Sequence, residues 1–422
     1  MNVNMIEAAH VARRWSFRCL LFCIIAGMVS GCASAKLKQA RRDFYNGNPS
    51  QASGVLLDSE DISSRDRLLY FMEKGLILHH SGNFQESIDT LLSASALMKD
   101  QEVISAGEQT GSLVTSERIT SYKGEYAERL LVHTYLIMNY LMINDHEDAL
   151  VEAKQALEVY DTYPDACRDD YFTRSLIAHC YEAVGDVNDA YIEYKKLAEL
   201  MSDPTPVADK LCALGARLGF DDEVAIYEKY LSETERNPAG ADAPAELIVF
   251  ISQGRSPIKI PENIVLPPSI RFSFSTYKDR SGSFFPPTVR TSGLSGPADM
   301  IATDVGGVLK ASLKERLAQI IAKETARVVA KESIAHNIDD PLLEILVRVV
   351  FLIMEEPDTR SWQTLPAYLA MVRIPLQPGV HHIMISGANG GGGTVSIPEF
   401  EITPGRQYYY YSVRNNSRLK SF

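Results

Sequence analysis

Long apolar runs are missing from this 422-residue chain. The two best, Cys19 to Met28 and Pro341 to Met354, fall short of the about 20 residues that cross a bilayer, and Glu344 and Arg348 interrupt the second. Neither reads as a spanning helix, and the second reads as a core or docking helix. Catalytic signatures are missing as well. No Gly-x-Ser-x-Gly elbow is present. The glycines from Gly390 to Gly393 precede no Lys-Ser or Lys-Thr and lie between strand-like segments, so they read as a hairpin loop and not as a phosphate cradle. His381 and His382 fall on opposite faces of a regular strand and cannot chelate one metal, and the other histidines show no His-x-x-x-His spacing. Positive charge is in deficit, with 42 Lys and Arg against 54 Asp and Glu for a net −12. Such a surface repels nucleic-acid phosphates and anionic headgroups. The expectation is a non-catalytic protein with no cofactor, no metal and no nucleic-acid partner. At 45% hydrophobic the chain is nonetheless globular, with room for two domains.

The first 32 residues do carry a pattern. Arg13, Arg14 and Arg18 precede a short apolar core, which ends in Val29-Ser30-Gly31-Cys32. This tripartite order is that of a secretory leader, and the last four residues resemble the lipobox of bacterial lipoproteins. The resemblance implies cleavage between Gly31 and Cys32, with a diacylglyceryl group on the Cys32 thiol. Ala33 and Ser34 follow, with no Asp after the cysteine, which by similarity to enterobacterial sorting implies the outer membrane, facing the periplasm. Loss of the leader, which carries +2, would take the mature chain to about −14. Cys19 and Cys23 would leave with it. Cys167, Cys180 and Cys212 remain, enough for at most one disulfide, and they match no zinc spacing. They read as small buried apolar side chains.

A short motif recurs after the leader. Gly82-Asn83-Phe84, Asn144-Asp145-His146 and Gly185-Asp186-Val187 each separate two amphipathic stretches, with weaker copies at Gly47 and Gly219. The turn residues are spaced by 35, 62, 41 and 34. Asn can replace Gly in this slot because both tolerate the left-handed conformation that ends a helix. Small residues flank the turns at fixed offsets, as in Gly75 and Ser87, Ala149 and Ala153, Ala178 and Ala190. The pattern resembles the tetratricopeptide repeat, a helical hairpin of about 34 residues, over roughly residues 36–232. The resemblance implies a solenoid whose groove binds a protein partner. Tyr126, Glu128, Arg129 and Tyr135, where the array resumes after its long insertion, are candidate partner-binding residues, although helical spacing alone also fits packed aromatics beside solvent-facing charges.

The composition then changes. Residues 233–245 read as a linker, and 246–422 as a second, α+β domain. Leu247 to Ile251 reads as a buried strand, followed by Pro-rich extended segments through Pro287. A long helix is expected over Asp299 to Ala335 and another over Pro341 to Met354. Strands are expected at Tyr368–Ile374, His382–Ile385, Val395–Ile397 and Tyr408–Val413, and they resemble a small β-sandwich module. Asp358, Arg360 and Trp362 form the one specialised-looking segment. They fit either a binding hot spot or a structural plug, in which Arg360 pairs with Asp358 and Trp362 seals the sheet and helix junction.

The fold expectation is therefore multi-domain, with a leader at 1–31, a helical repeat domain at 32–232, a linker at 233–245 and the α+β domain at 246–422. The lipobox, the segment Lys123 to Arg129 and the stretch Asp358 to Pro366 together resemble an uncharacterised family of tetratricopeptide-containing bacterial lipoproteins. That likeness implies an envelope adaptor or scaffold, whose partners are other envelope proteins or lipoproteins, and which assists envelope or peptidoglycan assembly. A pilotin-like subunit of a secretion, pilus or outer-membrane complex is the second reading. An envelope hydrolase in the C-terminal domain is a remote third, to be revived by a deep polar cleft around Asp358, Arg360 and Trp362.

Overall fold

A computed structural model describes residues 35–57, 62–107, 121–231, 245–266, 270–280, 286, 288–290, 300–317, 320, 333, 357–386, 394–403 and 405–415. Gly31 and Cys32, most of the linker and the expected helix over Pro341 to Met354 lie outside these residues.

Helical hairpins occupy the N-terminal half. They pair α1 (Ala35–Tyr45) with α2 (Pro49–Leu57), α3 (Arg67–His80) with α4 (Phe84–Gly107), and α5 (Tyr126–Met142) with α6 (His146–Thr162). After the short α7 (Pro164–Cys167), α8 (Tyr171–Val184) pairs with α9 (Val187–Leu200), and α10 (Thr205–Leu218) with α11 (Asp221–Tyr227). All five turn positions read from the sequence have positive φ: Gly47 at 86°, Gly82 at 82°, Asn144 at 62°, Gly185 at 85° and Gly219 at 75°. Asp145 and Asp186, one residue later, cap α6 and α9 by accepting the amides of Asp148 and Asp189. Small residues set the spacing within hairpins: a Cβ on Gly75 would lie 2.5 Å from Leu91, and the hydroxyl of Ser87 donates to the Gly75 carbonyl at 2.7 Å. This is a tetratricopeptide-like array.

The C-terminal half is α+β. A four-stranded sheet has the order β5-β6-β1-β9, formed by β1 (Ala245–Gln253), β5 (Met300–Asp304), β6 (Tyr368–Leu376) and β9 (Tyr408–Asn415). β1 runs antiparallel to β6 and parallel to β9. β2 (Ile258–Leu266) and β3 (Ile270–Lys278) form a hairpin from the Pro-rich segment. β4 (Thr288–Arg290), β7 (Gly379–Ser386) and β8 (Val395–Ile402) form a second sheet.

The four-stranded sheet is buried on both faces, which is why Leu247 to Ile251 is apolar without alternation. Ile248, Phe250, Ile301, Leu369 and Met371 belong to one core with the helical array. Leu247, Val249, Ile251, Ala370, Val372 and Ile374 pack instead with Ile383, Ile385 and Ile397 of the second sheet. The layers are thus helices, sheet, sheet. Cys167, Cys180 and Cys212 are free thiols, the first two fully buried.

One expected element is different. The helix read from Asp299 begins only at residue 305, because Met300–Asp304 is strand β5, paired with β6. Ile301 continues the helical apolar stripe and equally fills the array side of a strand, so periodicity could not separate the two. Asp304 then stops the strand and caps the helix of residues 305–317 (α12), accepting the Gly307 amide at 3.0 Å.

Candidate functional site

The inner face of the array, formed by the first helix of each hairpin, is covered by the chain's own sheet. α3 and α5 pack on β9, and α8 packs on β5 and β6. The sequence-derived site residues meet here. Glu128, in the first turn of α5, is fully buried. Its Oε1 accepts the Trp362 amide at 2.7 Å, and its Oε2 accepts the Glu125 amide at 2.8 Å and the Tyr122 hydroxyl. Burial raises the Glu128 carboxyl above the ordinary range, while these donors pull it back toward the ionised form. Trp362 is 1% exposed, with its ring 5.8 Å from that of Tyr135 and its indole N–H donating to Thr364 Oγ1 at 3.1 Å. Arg360 grips Asp358 through two nitrogens, at 2.9 and 2.7 Å, and reaches across to Asp66 at 2.9 Å. Tyr126 stacks on Tyr163 at 3.6 Å, and Arg129 donates to the Lys123 carbonyl at 3.1 Å. Glu128 and Tyr135 of the first candidate group therefore meet Trp362 of the second inside the chain. The segment around Asp358 is a packed plug and not a cleft.

Residues that the sequence did not single out hold the rest of the junction. Buried Glu125 pairs with Lys259 of β2 and, at 2.8 Å, with Arg316 of α12. Glu73 accepts from Arg41 at 2.6 Å and from the Gln363 amide at 2.8 Å. Arg373 of β6 bridges Glu182 of α8 at 2.9 Å and Glu246 at 2.6 Å, and Lys210 joins both carboxylates at 3.0 and 2.6 Å. Burial by itself would raise the Glu246 carboxyl, but Arg373 and Lys210 outweigh it and hold the group at about 2. The β domain also completes helix ends: the Phe172 amide at the start of α8 donates to Thr303 Oγ1 at 2.8 Å, and the Ala127 amide in α5 donates to Ser312 Oγ at 3.2 Å.

Histidines fill the floor. His79 links Asn139 and Ser412 of β9, each at 2.7 Å, while Tyr410 of β9 meets His179 at 2.9 Å and His146 at 3.1 Å. Burial lowers all three imidazoles, His79 to about 4. A sequence signal existed, since polar His79, Asn139 and His179 interrupt apolar helix faces. It named no partner.

The outer face, made by the second helices, has a repeated surface. Val151, Ile192 and Ile226 each stand seven residues after a turn residue (Asn144, Gly185, Gly219), and they are 55%, 39% and 52% exposed. Three residues further on, each helical segment carries a lysine: Lys154, Lys195 and Lys229. Three or four residues before stand Glu147, Asp189 and Asp222. The helical period puts the three rows on one face. Lys195 pairs with Glu223 of the next hairpin at 2.9 Å, which ties neighbouring second helices together.

No family model and no curated protein sequence matches the chain. Among solved structures it is similar to the nearly identical TPR-like repeats of a Podosopora anserina kinesin light chain, at 15% identity over 49% of this chain and 96% of that one, with a TM-score of 0.34. It is also similar to MamA from Desulfovibrio magneticus RS-1, at 15% identity over 49% and 99% with a TM-score of 0.33. The apo form of RapI matches at 12% identity over 46% and 51%, with a TM-score of 0.36. Among the described residues no helix is long and apolar enough to cross a membrane.

Proposed function

We propose that this chain is a non-catalytic adaptor of the bacterial cell envelope, tethered by a lipid on Cys32, which engages an envelope protein through the outer face of its helical array. The row of Val151, Ile192 and Ile226 carries the reading. A single exposed apolar side chain is ordinary, but one at the same offset in three consecutive hairpins makes a continuous ridge of the kind that marks contact surfaces. The groove itself is not free for a partner, because β9, β5 and β6 pack against it. A solenoid closed on one side by its own sheet is a rigid platform, and the tether raises its effective concentration for partners at the same membrane.

The test has two parts. Mass analysis of the N-terminal peptide from the producing cell is expected to show a diacylglyceryl cysteine at Cys32. Replacing Val151, Ile192 and Ile226 together with Ser is expected to abolish co-purification of a partner with no change in the thermal midpoint. Retention of every partner by that triple variant would sink the assignment. A pilotin-like role in a secretion or outer-membrane complex uses the same anchor and ridge, and the partner's identity separates the two.

A further inference from the structure

The chain is acidic, yet the first helix among the described residues is not. α1 reads AKLKQARRDFY, with four basic residues against Asp43. Leu37, Ala40 and Phe44 recur at helical spacing and are buried in the array core. That fixes the rotation of the helix. Lys38 and Arg42, one turn apart, stand on the side opposite the buried stripe and are exposed. Arg41 turns the other way, into the array, and pairs with Glu73 at 2.6 Å. Positive charge continues past the helix end, because the exposed Arg255 lies 4.2 Å over the ring of Tyr45, the last residue of α1.

Position along the chain gives this patch its meaning. Only Ala33 and Ser34 separate Cys32 from α1. Fully extended, that stretch spans about 10 Å, close to one Debye length at physiological ionic strength. If Cys32 carries the lipid, as proposed above, the start of α1 is held within about one Debye length of the leaflet that holds the anchor. A chain whose net charge repels anionic headgroups presents an outward basic face there. We infer that α1 is a membrane-facing foot: Lys38 and Arg42 rest on anionic phospholipid headgroups beside the anchor. The contact fixes how the platform stands on the membrane, where a lipid chain alone would leave it free to swivel.

Flotation with the unlipidated mature chain, residues 32–422 carrying Cys32→Ser, tests this apart from the anchor. The probes are vesicles of phosphatidylcholine alone and of phosphatidylcholine mixed with phosphatidylglycerol. At low salt the protein is expected to float with the anionic vesicles and not with the neutral ones, and added salt is expected to release it. Lys38→Gln with Arg42→Gln is expected to weaken binding about thirtyfold, while Lys38→Arg with Arg42→Lys keeps it. Equal recovery on both vesicles, no recovery on either, or no effect of the double Gln variant overturns the inference. The N-terminal mass analysis reads the anchor independently. A lipidated chain whose soluble form ignores anionic vesicles refutes the foot and leaves the anchor standing, and an unlipidated chain that binds them does the reverse.

Discussion

Glu128 and Trp362 lie 234 residues apart in sequence and meet at 2.7 Å, the carboxylate of the array accepting the backbone amide of the C-terminal half. Around that bond the helices and the sheet share one core. The composition break near residue 245 marks a change of secondary structure, and the packing runs straight across it.

Replacing Glu128 with Ala leaves the amides of Trp362 and Glu125 and the Tyr122 hydroxyl without their acceptor in a dry site. The expected loss is about 2–4 kcal/mol, read as a lower denaturant midpoint. Glu128→Gln keeps one acceptor oxygen and is expected to cost less.

Arg373→Met removes the cation between Glu182 and Glu246, two largely buried carboxylates. Breaking such a pair from one side costs about 3–5 kcal/mol. Adding Glu182→Gln and Glu246→Gln is expected to recover much of it, because the three act as one network. The Glu246 carboxyl is held at about 2, below its unfolded value near 4.5. Its contribution is therefore complete above pH 4.5 and is lost as pH falls toward 2.

His79 works in the same direction in a higher pH window. Burial holds it at about 4, below the 6.5 of a solvated imidazole, even though its bond to Asn139 pulls upward. Between those values the unfolded chain binds a proton that the folded chain excludes, so stability is full above pH 6.5 and falls as pH drops through that window. The loss is on the order of 3 kcal/mol from His79 alone. Burial also lowers His80 and His179, so both add in the same direction. Denaturant melts at pH 7 and pH 5 are expected to differ clearly, and His79→Gln is expected to flatten the dependence.

Two glycines make a matched pair. Gly75→Ala would drive a methyl to 2.5 Å from Leu91, between α3 and α4, at a cost of about 1–3 kcal/mol. Gly54→Ala in α2 meets no atom within 4 Å and is expected to stabilise by about 0.5–1 kcal/mol. Thermal midpoints shifted in the same direction would contradict the packing described.

The array was legible because its signals are local. A residue that must adopt positive φ is Gly or Asn whatever surrounds it, and all five turns followed, Asn144 included. The strands after residue 365 were legible from alternation. β5 was not, since five residues with apolar side chains toward both layers carry no distinguishing period. The junction was legible only in halves. Tyr135 and Glu128 on one side stood out because the array resumes there after its insertion, and Arg360 and Trp362 on the other because Trp and Arg dominate binding hot spots. That Trp362 meets Glu128 and Tyr135, and Arg360 meets Asp66, is decided by packing across more than two hundred residues, and a single sequence carries no sign of it. The outer ridge went unnoticed because an exposed Val or Ile means little until burial shows which offset it shares.

The central claim is that partners meet the outer ridge while the groove is closed by the chain's own sheet. Photo-crosslinking in cells tests it directly, with a photoreactive residue placed at Ile192 and, for comparison, at Val380, exposed on the far sheet. A discrete crosslinked envelope protein is expected from Ile192 and none from Val380. Crosslinking from Val380 with nothing from Ile192 would contradict it.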